Sequence, residues 1–110
     1  MNPEIELHTD FETFSEDHTQ CTEQYKRNQW LYRFGDIKVS VICHMYERKI
    51  ITYGDAYAPF ELALLKGDEL MSEPIGYLTE KKVNRILHEV DRAVKRKQSI
   101  GVFFLRSLKW

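Results

Sequence analysis

A chain of 110 residues with 43% hydrophobic and 13% aromatic side chains can bury one core, which excludes intrinsic disorder. No apolar run approaches the ~18 residues of a membrane span, and the acidic start lacks the basic-then-apolar order of a secretory leader. The net charge of −1 conceals a gradient: residues 1–25 carry seven acids and no lysine or arginine, whereas residues 81–110 carry nine bases against two acids.

Residues 1–28 read as an acidic arm, partly ordered, ahead of a single α+β domain over 29–110. In the arm, Ile5 and Leu7 alternate with Glu4, Glu6 and His8, as an edge strand would. The stretch 13–24 is poor in apolar residues and reads as a loop, a short helix or a mobile arm. From Trp30 the pattern sharpens. Trp30, Tyr32 and Phe34 alternate with Leu31 and Arg33; after Gly35-Asp36, Ile37, Val39, Val41 and Cys43 alternate with Lys38, Ser40, Ile42 and His44. Glycine opening a two-residue loop predicts a type II′ hairpin over 30–34 and 37–46. Residues 47–49 break the pattern, and 50–53 form a short strand or the far arm of a second hairpin. The loop 54–59 ends at Pro59. Phe60, Leu62 and Leu64 then alternate with Glu61, Ala63 and Leu65, and Gly67-Asp68 repeats the hairpin signal before a short return strand. That strand ends before Pro74, which would break a ladder.

The segment 72–94 is the clearest in the chain. It reads as a turn followed by a helix with Thr79 as N-cap. Leu78 and Val83 have the spacing of a hydrophobic staple. Val83, Ile86, Leu87, Val90, Ala93 and Val94 recur at the helical spacing of three and four. Lys95, Arg96 and Lys97 sit where the helix dipole favours cations, and Ser99 and Gly101 act as stop signals. The apolar run 100–105 predicts a final strand returning to the sheet. The expected architecture is therefore α+β: an antiparallel sheet of four to five strands with one long C-terminal amphipathic helix packed on one face.

Motifs for catalysis are absent: there is no phosphate loop, no nucleophile elbow, no HExxH and no CxxC. Cys21 and Cys43 are too few for a disulfide scaffold and fit reduced thiols in a cytosol. His18 and Cys21 have the spacing of two metal ligands, but no paired spacing supplies the others. Neither a metal nor a cofactor is expected. Cys43 and His44 point to opposite faces of a strand, so Cys43 reads as a small core residue. Two charged surfaces remain as candidate contacts. The acidic arm (Glu4, Glu6, Asp10, Glu12, Glu16, Asp17) fits a protein partner that ordinarily binds nucleic acid. The basic helix face (Lys81, Lys82, Arg85, Arg92, Lys95, Arg96) suits a protein partner or the phosphates of nucleic acid. The plainer reading of both is a pair of solvated faces that partly compensate each other.

Tyr53-Gly54, Glu61-Leu62-Ala63-Leu64-Leu65, Pro74-Ile75 and Gly76-Tyr77-Leu78-Thr79, with Val83, follow one another in an order that resembles a group of small bacteriophage proteins. The resemblance covers about half the chain and rests on structural residues; it supplies no catalytic ones. It implies a phage protein acting in the cytoplasm of a bacterial host. Its implied function is to bind and inhibit a host protein, such as a CRISPR or restriction component, without being an enzyme. The alternative expectation is a nucleic-acid-binding accessory protein using the basic helix. No membrane partner is expected, and the apolar C-terminal segment offers a surface for a homodimer.

Overall fold

Every second residue in Trp30–Phe34, Ile37–Val41 and Phe60–Leu64 is apolar and buried, so three strands present one continuous apolar face. The computed structural model describes residues 5–101 and 104–109. In chain order the elements are β1 (Ser15–Asp17), β2 (Tyr25–Lys26), β3 (Gln29–Phe34), β4 (Ile37–Ile42), β5 (Met45–Tyr46) and β6 (Lys49–Ile50). Then follow β7 (Phe60–Lys66), β8 (Glu69–Leu70), β9 (Ile75–Leu78), α1 (Glu80–Lys95) and α2 (Phe104–Lys109). The main sheet runs β1-β3-β4-β7-β8, with β9 also paired to β7. All its pairs are antiparallel. The α+β class is as expected, with α1 packed against β3, β7 and β9. The sheet has six strands because Ser15–Asp17 and Ile75–Leu78 both join its edges.

Register makes the core. Trp30 lies opposite Val41, which lies opposite Leu62; Tyr32, Val39 and Leu64 form the next row. Val83, Ile86, Leu87, Val90 and Ala93 of α1 are buried over these rows. Each of the valine, leucine and isoleucine side chains contributes about 1.5–3 kcal/mol by leaving water. The Thr79 hydroxyl accepts the Lys82 N–H at 3.2 Å, capping the helix as its sequence predicts. Leu78 and Val83 are fully buried in the same core. At the far end the helix stops earlier than Ser99 and Gly101 would suggest. Lys97 takes a left-handed φ of 55°, and its N–H bonds the Val94 carbonyl while that of Gln98 bonds Ala93. This is a Schellman closure without glycine.

Both Gly-Asp turns behave as read. Gly35 and Gly67 have φ of 61° and 63°, and neither following aspartate is left-handed, as in a type II′ turn. The strand expected over 37–46 is shorter. β4 ends at Ile42, and Cys43-His44 leads into a second, three-stranded sheet, β2-β5-β6. The pairs Gln29↔Ile42, Lys26↔Met45 and Tyr25↔Tyr46 keep one register across the break. The small sheet therefore prolongs the β3–β4 ribbon rather than adding a layer. Glu47 and Arg48, both left-handed, close the hairpin that returns along β6.

Three expectations change. Ile5 and Leu7 do not form a strand, because nearby backbone donors go to helix side chains: His8 N–H to Glu80 and Asp10 N–H to Asn84. The Gly76–Thr79 turn is instead the end of β9, which carries a bulge, followed by the helix cap at Thr79. Phe60 pairs Leu78 and Leu62 pairs Ile75, so β9 holds one extra residue, and Tyr77 there has φ of 56°. The final strand is instead a helix. Phe104 N–H bonds the Gly101 carbonyl, and Phe104, Leu105 and Leu108 pack on the core. The edge of β7 that a returning strand would need is already taken by β8 and β9. Val102 and Phe103, also in that expected strand, lie outside the described residues. The apolar surface expected to serve a homodimer is thus turned inward at Phe104, Leu105 and Leu108.

A methyl at Gly76 would overlap the Cβ and carbonyl oxygen of Tyr53, whereas one at Gly67 would meet open space. Gly76→Ala should therefore lower unfolding free energy by about 3 kcal/mol or more. Gly67→Ala should cost only the left-handed backbone penalty of about 1 kcal/mol. Urea midpoints at constant m-value measure both; equal losses would contradict the Tyr53–Gly76 contact.

Candidate functional site

The acidic residues singled out from sequence are dispersed, and most already have partners. Glu4 lies outside the described residues. Glu6 sits 3.3 Å from His8. Asp10 is held most closely: its carboxylate accepts Asn84 Nδ2 at 2.9 Å and pairs with His88 Nε2 at 2.7 Å. These two hydrogen bonds hold its carboxyl below the usual range, Asn84 contributing most. Phe11 follows, edge-on to Phe34 and to His88. Glu12 is exposed. Glu16 accepts from Thr13 and contacts His18 at 3.2 Å. Asp17 accepts both the backbone N–H and the hydroxyl of Thr19 and lies 3.8 Å from Arg27. The Thr19 bonds lower its pKa. Residues 5–17 are thus strapped along the helix flank and the β3 edge.

The basic set does share an exposed surface. Lys81, Lys82, Arg85, Arg92, Lys95 and Arg96 are all exposed, away from the buried Val83–Val90 stripe. Arg92 pairs along the helix with Glu89 at 3.1 Å, and Lys95 with Asp91 at 3.0 Å. Exposed pairs of this kind contribute about 0.2–1 kcal/mol.

Titratable groups meet where the two sheets join. Asn28 is buried there, its Nδ2 donating to the Cys43 carbonyl at 3.1 Å and its Oδ1 2.8 Å from His18 Nδ1. The Asn28 N–H donates to His44 Nδ1 at 3.2 Å, so that nitrogen carries no proton. Burial, then Arg27, lowers the His44 pKa, against smaller opposing effects of Glu61 and Asp17. Burial pushes the Cys43 thiol up to about 11, which keeps it from acting as a thiolate at neutral pH. Among the described residues no three histidine, cysteine or acidic side chains are placed to hold a metal. Nor is any helix among them long and apolar enough to cross a membrane.

One concavity lies on a surface that sequence reading passed over. A groove of about 860 Å³ is lined by Tyr53, Gly76, Tyr77, the 70–75 segment and Arg106 of α2. Tyr53, Leu70 and Tyr77 around it are 64%, 60% and 55% exposed. The groove exists because the bulge in β9 turns Tyr77 outward and Gly76 lets the chain at Tyr53 come close. Tyr77 N–H bonds the Tyr53 carbonyl at 2.8 Å. Ser72 lines the same groove and is buried, with its hydroxyl unbonded among the described residues. The signal available in sequence was the pair of Gly-Tyr and Tyr-Gly steps, read as turn chemistry.

The folded protein keeps His44 neutral below the pH at which the unfolded chain protonates it, near 6.5. Its stabilising contribution is complete above that pH and is lost as pH falls through it. The thermal midpoint should drop between about pH 7.5 and about pH 5.5, and by less in His44→Gln. Equal drops in the two proteins would contradict this assignment. No protein-family model matches the chain, and no curated protein or solved structure matches it.

Proposed function

We propose that this chain is a non-enzymatic binding protein whose contact surface is centred on the tyrosine-lined groove. The reading includes inhibition of a host protein, a defence component of the CRISPR or restriction kind, as the resemblance to small bacteriophage proteins implies. One observation carries it: Tyr53, Leu70 and Tyr77, each more than half exposed, surround a single groove that also contains Arg106. Tyrosine and arginine are the side chains that most often anchor protein interfaces. Apolar surface gathered this way costs a free protein solubility and is normally covered by a partner. Tyr77 also holds a left-handed backbone, a strain that clusters where geometry serves binding.

The charged surfaces take a secondary part in this reading. Asp10, Glu16 and Asp17 spend their acceptors within the chain. Glu6 and Glu12 remain as exposed charges, which steer association more than they hold a complex. The second reading, nucleic-acid binding, draws on the exposure of the five basic residues of α1 and of Arg96 at its C-cap.

Tagged protein should capture one stoichiometric partner from bacterial lysate. Tyr53→Ala combined with Tyr77→Ala should weaken capture by about 2 kcal/mol or more, with circular dichroism unchanged. Capture indifferent to both tyrosines would sink the reading. A salt-sensitive shift of short DNA or RNA lost on Lys81→Gln and Arg85→Gln would favour the alternative.

A further inference from the structure

We propose that His44 is a proton-operated latch: when its imidazole gains a charge, the small sheet loosens from the main one, and the segment that carries Tyr53 into the groove loosens with it. The latch acts whatever the groove binds, and so stands apart from the binding reading above.

The joint between the two sheets closes on one ring nitrogen. Asn28 N–H donates to His44 Nδ1 at 3.2 Å, a bond that needs a bare nitrogen. A second proton on the ring would set donor against donor and leave that N–H without an acceptor at a buried residue. Asn28 also holds the rest of the joint. Its Nδ2 bonds the Cys43 carbonyl, its own carbonyl accepts the Cys43 N–H at 3.0 Å, and its Oδ1 meets His18. The groups that face the His44 ring come from several elements: Arg27, Asp17 on β1, Glu61 on β7 and the Tyr25 ring on β2. Burial and Arg27 oppose a charge there, whereas Glu61 and Asp17 favour it. The adjoining Cys43 stays a neutral thiol.

Little else holds the small sheet. β2 pairs with β5, and β5 with β6, through two residues each. None of these strand residues is buried, although Ile50 packs on the core. Ladders this short are marginal by themselves, which puts their opening at the low end of local stability.

The joint reaches the groove through the 51–53 segment. Ile51 N–H bonds the His44 carbonyl at 2.9 Å, and the Thr52 hydroxyl accepts the His44 N–H at 3.3 Å. Tyr53 N–H then bonds Glu61 Oε1 at 2.9 Å. A charged His44 acts on this segment twice. Its ring must leave Asn28, which disturbs the backbone that holds residues 51 and 52. It also draws on Glu61, the acceptor that holds residue 53. The latch is closed above the ordinary histidine value of 6.5 and opens as pH falls below it.

The test follows amide hydrogen exchange in the ¹⁵N-labelled full chain from about pH 7.5 to about pH 5, corrected for the intrinsic pH dependence of exchange. Protection at Asn28, Ile51 and Tyr53 should fall by about tenfold or more, while Tyr32 and Val39, paired in the central ladder, change little. His44→Gln should flatten all three profiles. Glu61→Gln keeps an acceptor for Tyr53 N–H but carries no charge. In that variant Tyr53 should hold its protection at acid pH while Asn28 and Ile51 still lose theirs. A fall shared equally by Tyr32 and Val39, or the same fall in His44→Gln, would overturn the proposal. So would a fall at Asn28 that stops short of Tyr53 in the unaltered protein, or a Glu61→Gln profile identical to the unaltered one. Spectral dispersion reports whether each variant folds; should His44→Gln not fold, the unaltered and Glu61→Gln profiles decide.

Discussion

The whole molecule depends on the apolar face that β3, β4 and β7 offer to α1. Its rows run straight across three strands, Trp30–Val41–Leu62 and Tyr32–Val39–Leu64. A one-residue slip in any strand would turn its buried side chains to the opposite face. The two type II′ turns at Gly35 and Gly67 fix this register locally, and the α1 stripe rewards it globally. Local and long-range preferences therefore agree, which is the condition for a single fold.

What surrounds that centre is held by fewer and more polar contacts. The arm is tied to α1 by Asp10 with Asn84 and His88, and to the core by Phe11. The β3–β4 ladder is interrupted where Asn28 bonds the Cys43 carbonyl and the His44 ring. In both places a side chain satisfies backbone groups that a regular ladder leaves open. Acidic residues that look like a free surface in the sequence are in part this internal scaffolding. The charge gradient between the two ends of the chain is correspondingly softened inside the fold.

The groove arises from the same economy. The extra residue in β9 keeps Leu78 and Ile75 in register with β7 while turning Tyr77 outward. Gly76 then admits the Tyr53 chain, and α2 brings Arg106 alongside. Residues from three separate parts of the chain converge there, each placed by packing that has its own structural cause. Three exposed side chains, Tyr53, Leu70 and Tyr77, gather at that convergence, and the binding proposal is built on them.

By itself the sequence determined the α+β class, both Gly-Asp hairpins, and the start of α1 at Thr79 with its stripe from Val83 to Val94. These follow from period-two and period-3.6 patterns and from caps, which are written in consecutive residues. Only the tertiary structure decided that the C-terminal segment is helical from Phe104, that Ile75–Leu78 is a bulged strand, and that the acidic arm lies along α1. An apolar run carries no mark of helix or strand until the free edge of the sheet is known, and β8 and β9 had filled it. The groove was illegible for the same reason: Tyr53, the 70–77 segment and Arg106 are far apart in the chain, and their proximity is a property of packing.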